Sequence, residues 1–134
     1  MKPYTKTIVC VDDDPDDLFM LRQAIQDLET AYTIVEALDG IHALELIQHM
    51  NQEGELPCLI VLDINMPRMD GKQTLIALQH DVSLSAIPVV LFSTSSSMVD
   101  KNFSKKKSVE LITKPLTVEA LYSTASKLLS YCRA

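Results

Sequence analysis

Two hydrophobic rhythms alternate along this chain. Short, nearly unbroken apolar runs occur at Thr7-Ile8-Val9-Cys10-Val11, Cys58-Leu59-Ile60-Val61-Leu62 and Val89-Val90-Leu91-Phe92. Runs of four to six such residues predict strands buried on both faces. Two weaker runs, Tyr32 to Glu36 and Val109 to Thr113, complete a set of five. Between them the spacing changes to three and four. Leu18, Leu21, Ile25 and Leu28 share one face of a predicted helix over about 15–29. Ala43, Leu44, Ile47 and Met50 do so over 41–50, and Leu121, Ala125, Leu128 and Cys132 over 118–131. Shorter helices are expected over 72–80 and 98–107, the latter only weakly amphipathic.

Five strands alternating with five helices define an α/β domain. Right-handed crossovers make such a sheet parallel and cover both of its faces. The length suits a doubly wound five-stranded sheet in the order 2-1-3-4-5, with a switch point between the first and third strands. Asp14 followed by Pro15 predicts an N-cap with proline in the first helical position. Pro67 and Asp70-Gly71 end the third strand and turn the chain.

The strand ends carry the chemistry. The first strand runs into Asp12-Asp13-Asp14-Pro15-Asp16-Asp17, the third into Asp63, the fourth into Ser93-Thr94-Ser95-Ser96-Ser97 and the fifth into Lys114-Pro115. In a parallel sheet all these groups meet at one edge. Clustered carboxylates repel one another, and a divalent cation relieves that repulsion. Mg²⁺ prefers oxygen ligands and keeps several waters, so a few carboxylates suit it. An acidic cluster, a lone Asp, a hydroxyl and a Lys are together what magnesium-assisted phosphoryl transfer to a carboxylate requires.

Composition narrows the field. The 134 residues fit one domain, and 47% hydrophobic content suffices for its core. A net charge of −6 argues against a nucleic-acid-binding face. The lysines at 101, 105, 106 and 107 read as a solvated helix face, and His42, His49 and His80 as surface residues. Cys10, Cys58 and Cys132 are scattered without metal-ligand spacing and read as reduced thiols used as small core residues. Nothing before the first strand resembles a signal peptide, and no apolar run approaches the ~20 residues of a membrane span. A soluble, cytoplasmic protein is expected.

The blocks Ile8-Val9-Cys10-Val11-Asp12-Asp13-Asp14-Pro15, Leu62-Asp63-Ile64-Asn65-Met66-Pro67-Arg68-Met69-Asp70-Gly71, Pro88-Val89-Val90-Leu91-Phe92-Ser93 and Thr113-Lys114-Pro115 resemble the receiver domain of two-component response regulators. The resemblance spans the chain and implies a flavodoxin-like fold, a single receiver over 1–134 and no output domain. It implies that Asp63 is the phosphoacceptor and that Asp12, Asp13, Asp63 and the Asn65 carbonyl hold Mg²⁺. Ser93 takes the switch hydroxyl position, Lys114 pairs with the phosphoryl group, and the bond before Pro115 is expected to be cis. The implied partners are a histidine kinase or histidine phosphotransfer protein upstream. Downstream, a protein is expected on the fourth helix, fifth strand and fifth helix.

Two positions depart from the family's pattern. Ser93 replaces the usual Thr and is followed by Thr94 rather than a small residue, so two hydroxyls compete for one role. Leu111 stands where the family has an aromatic residue, which removes the usual rotamer switch. The same residues admit two other readings. A haloacid-dehalogenase-like phosphatase would use Asp12 and Asp14 as its paired acids with Ser93 and Lys114 behind them. It leaves Asp63 unexplained and offers only Glu119 for the late acidic motif. A degenerate receiver acting as a constitutive binding module conflicts with the complete set of acidic, hydroxyl and Lys positions.

Overall fold

The computed structural model describes residues 5–94 and 97–132. Five parallel strands, β1 (Thr7–Val11), β2 (Thr33–Ala37), β3 (Leu59–Asp63), β4 (Val89–Ser93) and β5 (Glu110–Thr113), lie in the order β2-β1-β3-β4-β5. The helices between and after them are α1 (Pro15–Leu28), α2 (Gly40–Gln52), α3 (Gly71–His80), α4 (Met98–Lys106) and α5 (Val118–Cys132). This is the expected order, with boundaries within a few residues of those expected.

Strand side chains alternate between two cores, because successive residues of a strand point to opposite faces. Ile8, Cys10, Leu59, Val61, Val90 and Phe92 pack with residues of α1 and α5. Val9, Val11, Ile60, Leu62 and Leu91 pack with Ala43 and Ile47 of α2 and Leu75 and Leu78 of α3. All five residues of β3 are buried, whereas β5 is half-exposed and ends exposed. The central strand is therefore the stiffest element and an edge strand the softest.

Register delivers the strand ends together. Val11 pairs with Leu62, Asp63 with Phe92, and Ser93 with Thr113, so Asp12, Asp63, Ser93 and Lys114 emerge along one edge. Asp14 caps α1, accepting from the Asp16 N–H at 2.9 Å, with Pro15 in the first turn as anticipated. Asp70 caps α3 in a reciprocal box with Gln73. Gly71 is required there: a Cβ would lie 2.3 Å from the Asp63 carbonyl oxygen.

Two expectations fail. Cys58 and Cys132 are not reduced thiols but a disulfide, with Cα atoms 5.1 Å apart; Cys10 alone of the three is free and buried. The α5 helix ends at the edge where β3 begins and brings together residues 74 positions apart, which local spacing does not reveal. Second, the Lys114–Pro115 bond is trans, since no cis peptide occurs among the described residues. Trans is the lower-energy isomer of an X-Pro bond by about 0.5–1 kcal/mol. The three histidines are exposed, as expected.

Candidate functional site

The mouth of the sheet is an acidic pocket with one cationic side chain among the described residues. Ligand atoms of Asp12, Asp13 and Asp63 lie within 4.8 Å of one another. Asp12 and Asp63 are buried, while Asp13 is exposed. The Lys114 ammonium donates to Asp12 at 2.6 Å and to Asp17 at 2.9 Å, and sits 3.6 Å from Asp63 Oδ2. Asp63 Oδ1 is buried with no hydrogen-bond partner among the described residues.

These surroundings set the charge states. Burial, then the neighbouring Asp12 charge, push the Asp63 carboxyl up to about 7, against the pull of Lys114 and the Asn65 N–H. Burial also raises Asp12, partly offset by its bond from Lys114. Burial alone would lower the Lys114 ammonium. The carboxylates of Asp12 and Asp17, with the charge of Asp63, outweigh it and hold the group above its ordinary range. Apolar walls from Leu18, Leu21, Val61, Phe92 and Leu121 line a cleft of about 150 Å³ beside Lys114, which limits solvation on that side.

The orphaned Oδ1, the crowded carboxylates and the scarcity of positive charge fit a divalent cation held by oxygen. A cation bound there would offset the burial that raises the Asp63 carboxyl and favour its anionic form. The β3–α3 segment that includes Asn65 is fixed from outside. Arg68 adopts φ 65°, unusual for a residue with a side chain, and pairs with the buried N-cap of α2, Asp39, through Nε at 3.0 Å. The His42 N–H and then Arg68 hold the Asp39 carboxyl below its usual range.

The structure thus brings Asp12, Asp13, Asp63 and Lys114 together. Asn65 lies two residues beyond Asp63 and is exposed. Ser93 closes β4 and is fully buried, whereas Thr94 is exposed, so geometry favours Ser93 as the inward hydroxyl. Two residues escaped the sequence reading. Asp17 and Asp100 look like ordinary acidic residues in the first turns of α1 and α4. Asp17 instead binds Lys114, and Asp100 is buried against Lys72 at 2.7 Å. Asp17 lies four residues beyond Asp13, the one local hint that the first turn of α1 carries it toward the pocket.

Comparison with known proteins agrees. Residues 8–126 match the response regulator receiver domain, and the chain belongs to that family. It is 28% identical to Protein PilH of Pseudomonas aeruginosa, over 92% of this chain and 97% of that protein. Among solved structures, the phosphorylated cyanobacterial phytochrome response regulator RcpA superposes with a TM-score of 0.86 at 27% identity, covering 97% of this chain and 95% of that one. The Mn²⁺-bound form of response regulator Rcp1 gives 0.81 at 25% identity, covering 92% and 91%. The fold is that of the family, and nothing in these relatives favours the phosphatase reading. Receiver domains bind a divalent metal at an acidic pocket, and the Asp12, Asp13, Asp63 cluster is of that kind. No helix among the described residues is long and apolar enough to cross a membrane.

Proposed function

We propose that this receiver accepts a phosphoryl group on Asp63 and acts as a signalling domain, promoting only its own phosphorylation and dephosphorylation. One observation carries the assignment. Asp63 Oδ1 is buried without a partner at the end of a fully buried strand, within a carboxylate cluster and beside the only ammonium in the pocket among the described residues.

Asp12, Asp13, Asp63 and the Asn65 carbonyl would hold Mg²⁺, which supplies charge neutralisation for the incoming phosphoryl oxygens. The chain's own residues do the rest. The β3 backbone, wedged against Gly71, fixes the nucleophile. The N–P bond of a phosphohistidine on a kinase or phosphotransfer domain breaks as the O–P bond to Asp63 forms. Lys114 gives the transferred group a fixed positive charge and so must loosen from Asp12 and Asp17. Ser93 supplies one hydroxyl donor. A cytoplasmic location belongs to this reading. In that reducing compartment Cys58 and Cys132 would stand as adjacent thiols unless oxidised.

Output takes the softer side of the sheet. Leu111 packs at the margin of the second core and cannot gate as an aromatic ring would. We assign partner binding to the surface of α4, β5 and α5. The direct test is incubation with Mg²⁺ and a small phosphodonor such as acetyl phosphate, followed by intact-mass measurement. A gain of one phosphoryl group, absent in Asp63→Asn, is expected; equal labelling of the variant refutes the assignment.

A further inference from the structure

The turn after β3 is held by a buried carboxylate from another part of the chain. Asp39, 5% exposed, follows β2 and divides its two oxygens. Oδ1 accepts the His42 N–H at 2.9 Å and caps α2. Oδ2 accepts from Arg68 Nε at 3.0 Å and from Arg68 Nη2. The Gly40 N–H donates to the Met69 carbonyl at 3.2 Å, and a Cβ on Gly40 would lie 2.0 Å from Thr74 Oγ1. In the sheet β1 lies between β2 and β3, so these contacts join two strand ends that are not neighbours.

The same junction reaches the other side of the acidic pocket. The Ala37 carbonyl accepts the Asp12 N–H at 3.0 Å. Residues 37–40 are therefore bonded both to the segment that carries Asp12 and Asp13 and to the turn that carries Asn65. That turn closes on itself through the Gly71 N–H, which donates to the Ile64 carbonyl at 2.9 Å. Between those ends Arg68 adopts φ 65°, a conformation that suits glycine and burdens an arginine. Glycine would serve the backbone better there; what arginine adds is the bond to Asp39. Strain held by one specific ion pair, beside a candidate site, serves geometry rather than stability.

We propose that Asp39 and Arg68 are positioning residues for the metal site: their pair fixes the β3–α3 turn, and with it the Asn65 carbonyl, so that both sides of the pocket present oxygen to one divalent cation. The inference rests on the metal site of the proposed function and extends it to two residues outside the ligand set. Charge alone makes the opposite prediction for Arg68. Removing a cation near an acidic pocket should tighten the binding of a divalent ion, whereas removing a positioning residue should weaken it.

The test is Mn²⁺ binding to the full chain, with free Mn²⁺ read by electron paramagnetic resonance at a temperature where every variant is folded. Arg68→Gly removes the ion pair and relieves the backbone, so it should melt at a higher temperature than Arg68→Ala. Both should nevertheless bind Mn²⁺ about tenfold more weakly than the wild type, the scale of losing a group that orients a metal ligand. Asp39→Asn keeps a capping oxygen for α2 and should weaken binding in the same direction. In the Arg68→Gly background it should weaken binding less than it does alone. Should Arg68→Ala not fold, Arg68→Gly decides the matter. Arg68→Gly that binds Mn²⁺ as tightly as the wild type, or more tightly, overturns the proposal and leaves Asp39 a helix cap with a surface partner. The same factor for Asp39→Asn with and without Arg68 also overturns it. A wild-type protein that binds no Mn²⁺, or whose binding survives Asp13→Ala unchanged, removes the metal-site reading itself. Binding that Asp13→Ala abolishes and Arg68→Gly leaves intact removes the positioning role alone.

Discussion

The two sides of the pocket are built differently. On one side, β1 and β3 are central strands, and nearly every residue is buried. They present Asp12 and Asp63 from rigid backbone, and Gly71 and the Arg68–Asp39 pair clamp the next turn. On the other side, β5 is a half-exposed edge strand, and α4 buries only Asp100 and Ser104. That side holds Lys114 through polar contacts with Asp12 and Asp17. Apolar packing resists displacement, whereas a hydrogen bond or ion pair can be exchanged for an equivalent one at little cost. Under the proposed function, the difference separates a platform that would perform the chemistry from a reporter that would answer it.

The largest effect should come from the platform. Asp63→Asn should abolish labelling by phosphodonor and stabilise the metal-free protein above neutral pH. The sign comes from the raised carboxyl: its folded value of about 7 exceeds the ordinary 3.8. The native state therefore binds the extra proton, and wild-type stability should fall as pH rises from about 4 to about 7, then level off. Three pH units correspond to roughly 4 kcal/mol as an upper bound. Denaturant melts of both proteins across that range check it; a wild-type stability that rises with pH would contradict the buried-carboxylate account.

Next in size is the covalent brace at the opposite edge. Cys132→Ser, or reduction, should cost about 4 kcal/mol by loop-closure entropy while leaving the labelling rate unchanged. Denaturant melts with and without reductant measure the first, and intact mass the second. Millimolar Mg²⁺ should then raise the melting temperature by several degrees through preferential binding to the native state, and Asp13→Ala should remove most of that gain. An indifferent wild-type melting curve would count against the metal site.

Smaller effects belong to the reporter. Lys114→Ala leaves Asp12 without its cation, so metal-free stability should drop by roughly 1–3 kcal/mol, with Mg²⁺ restoring much of it. The variant should still be labelled, but with a weaker conformational response. Failure to fold even with Mg²⁺ would make Lys114 structural. The subtlest expectation is a change in hydrogen exchange across 97–110 on phosphorylation, larger than in β1 and β3. Changes confined to 12–17 and 63–71 would erase the distinction between the two sides.

The platform was legible in the sequence, and the reporter only in part. Nearly unbroken apolar runs ending in Asp12, Asp63 and Ser93 announce buried parallel strands and their common edge, and the weaker run before Lys114 marks the half-exposed edge strand. Asp14 and Pro15 likewise act locally. The unexpected features depend on distant residues. Asp17 and Asp100 satisfy helix-start rules, which hides their bonds to Lys114 and Lys72. Arg68 adopts a left-handed backbone because Asp39, 29 residues away, holds its side chain. The cystine needs the direction of α5 across the sheet, which periodicity does not encode.

That cystine turns part of the molecule into a closed ring. Asp63, Ser93, Asp100 and Lys114 all lie within its circumference, while Asp12 and Asp13 lie on the open segment that precedes it. A single protease nick anywhere between the two cysteines would leave both fragments tethered until a reductant is added. Limited digestion should therefore reveal exposed loops of the reporter side only on reducing gels. The acid pair, outside the ring, reaches its partners by folding alone.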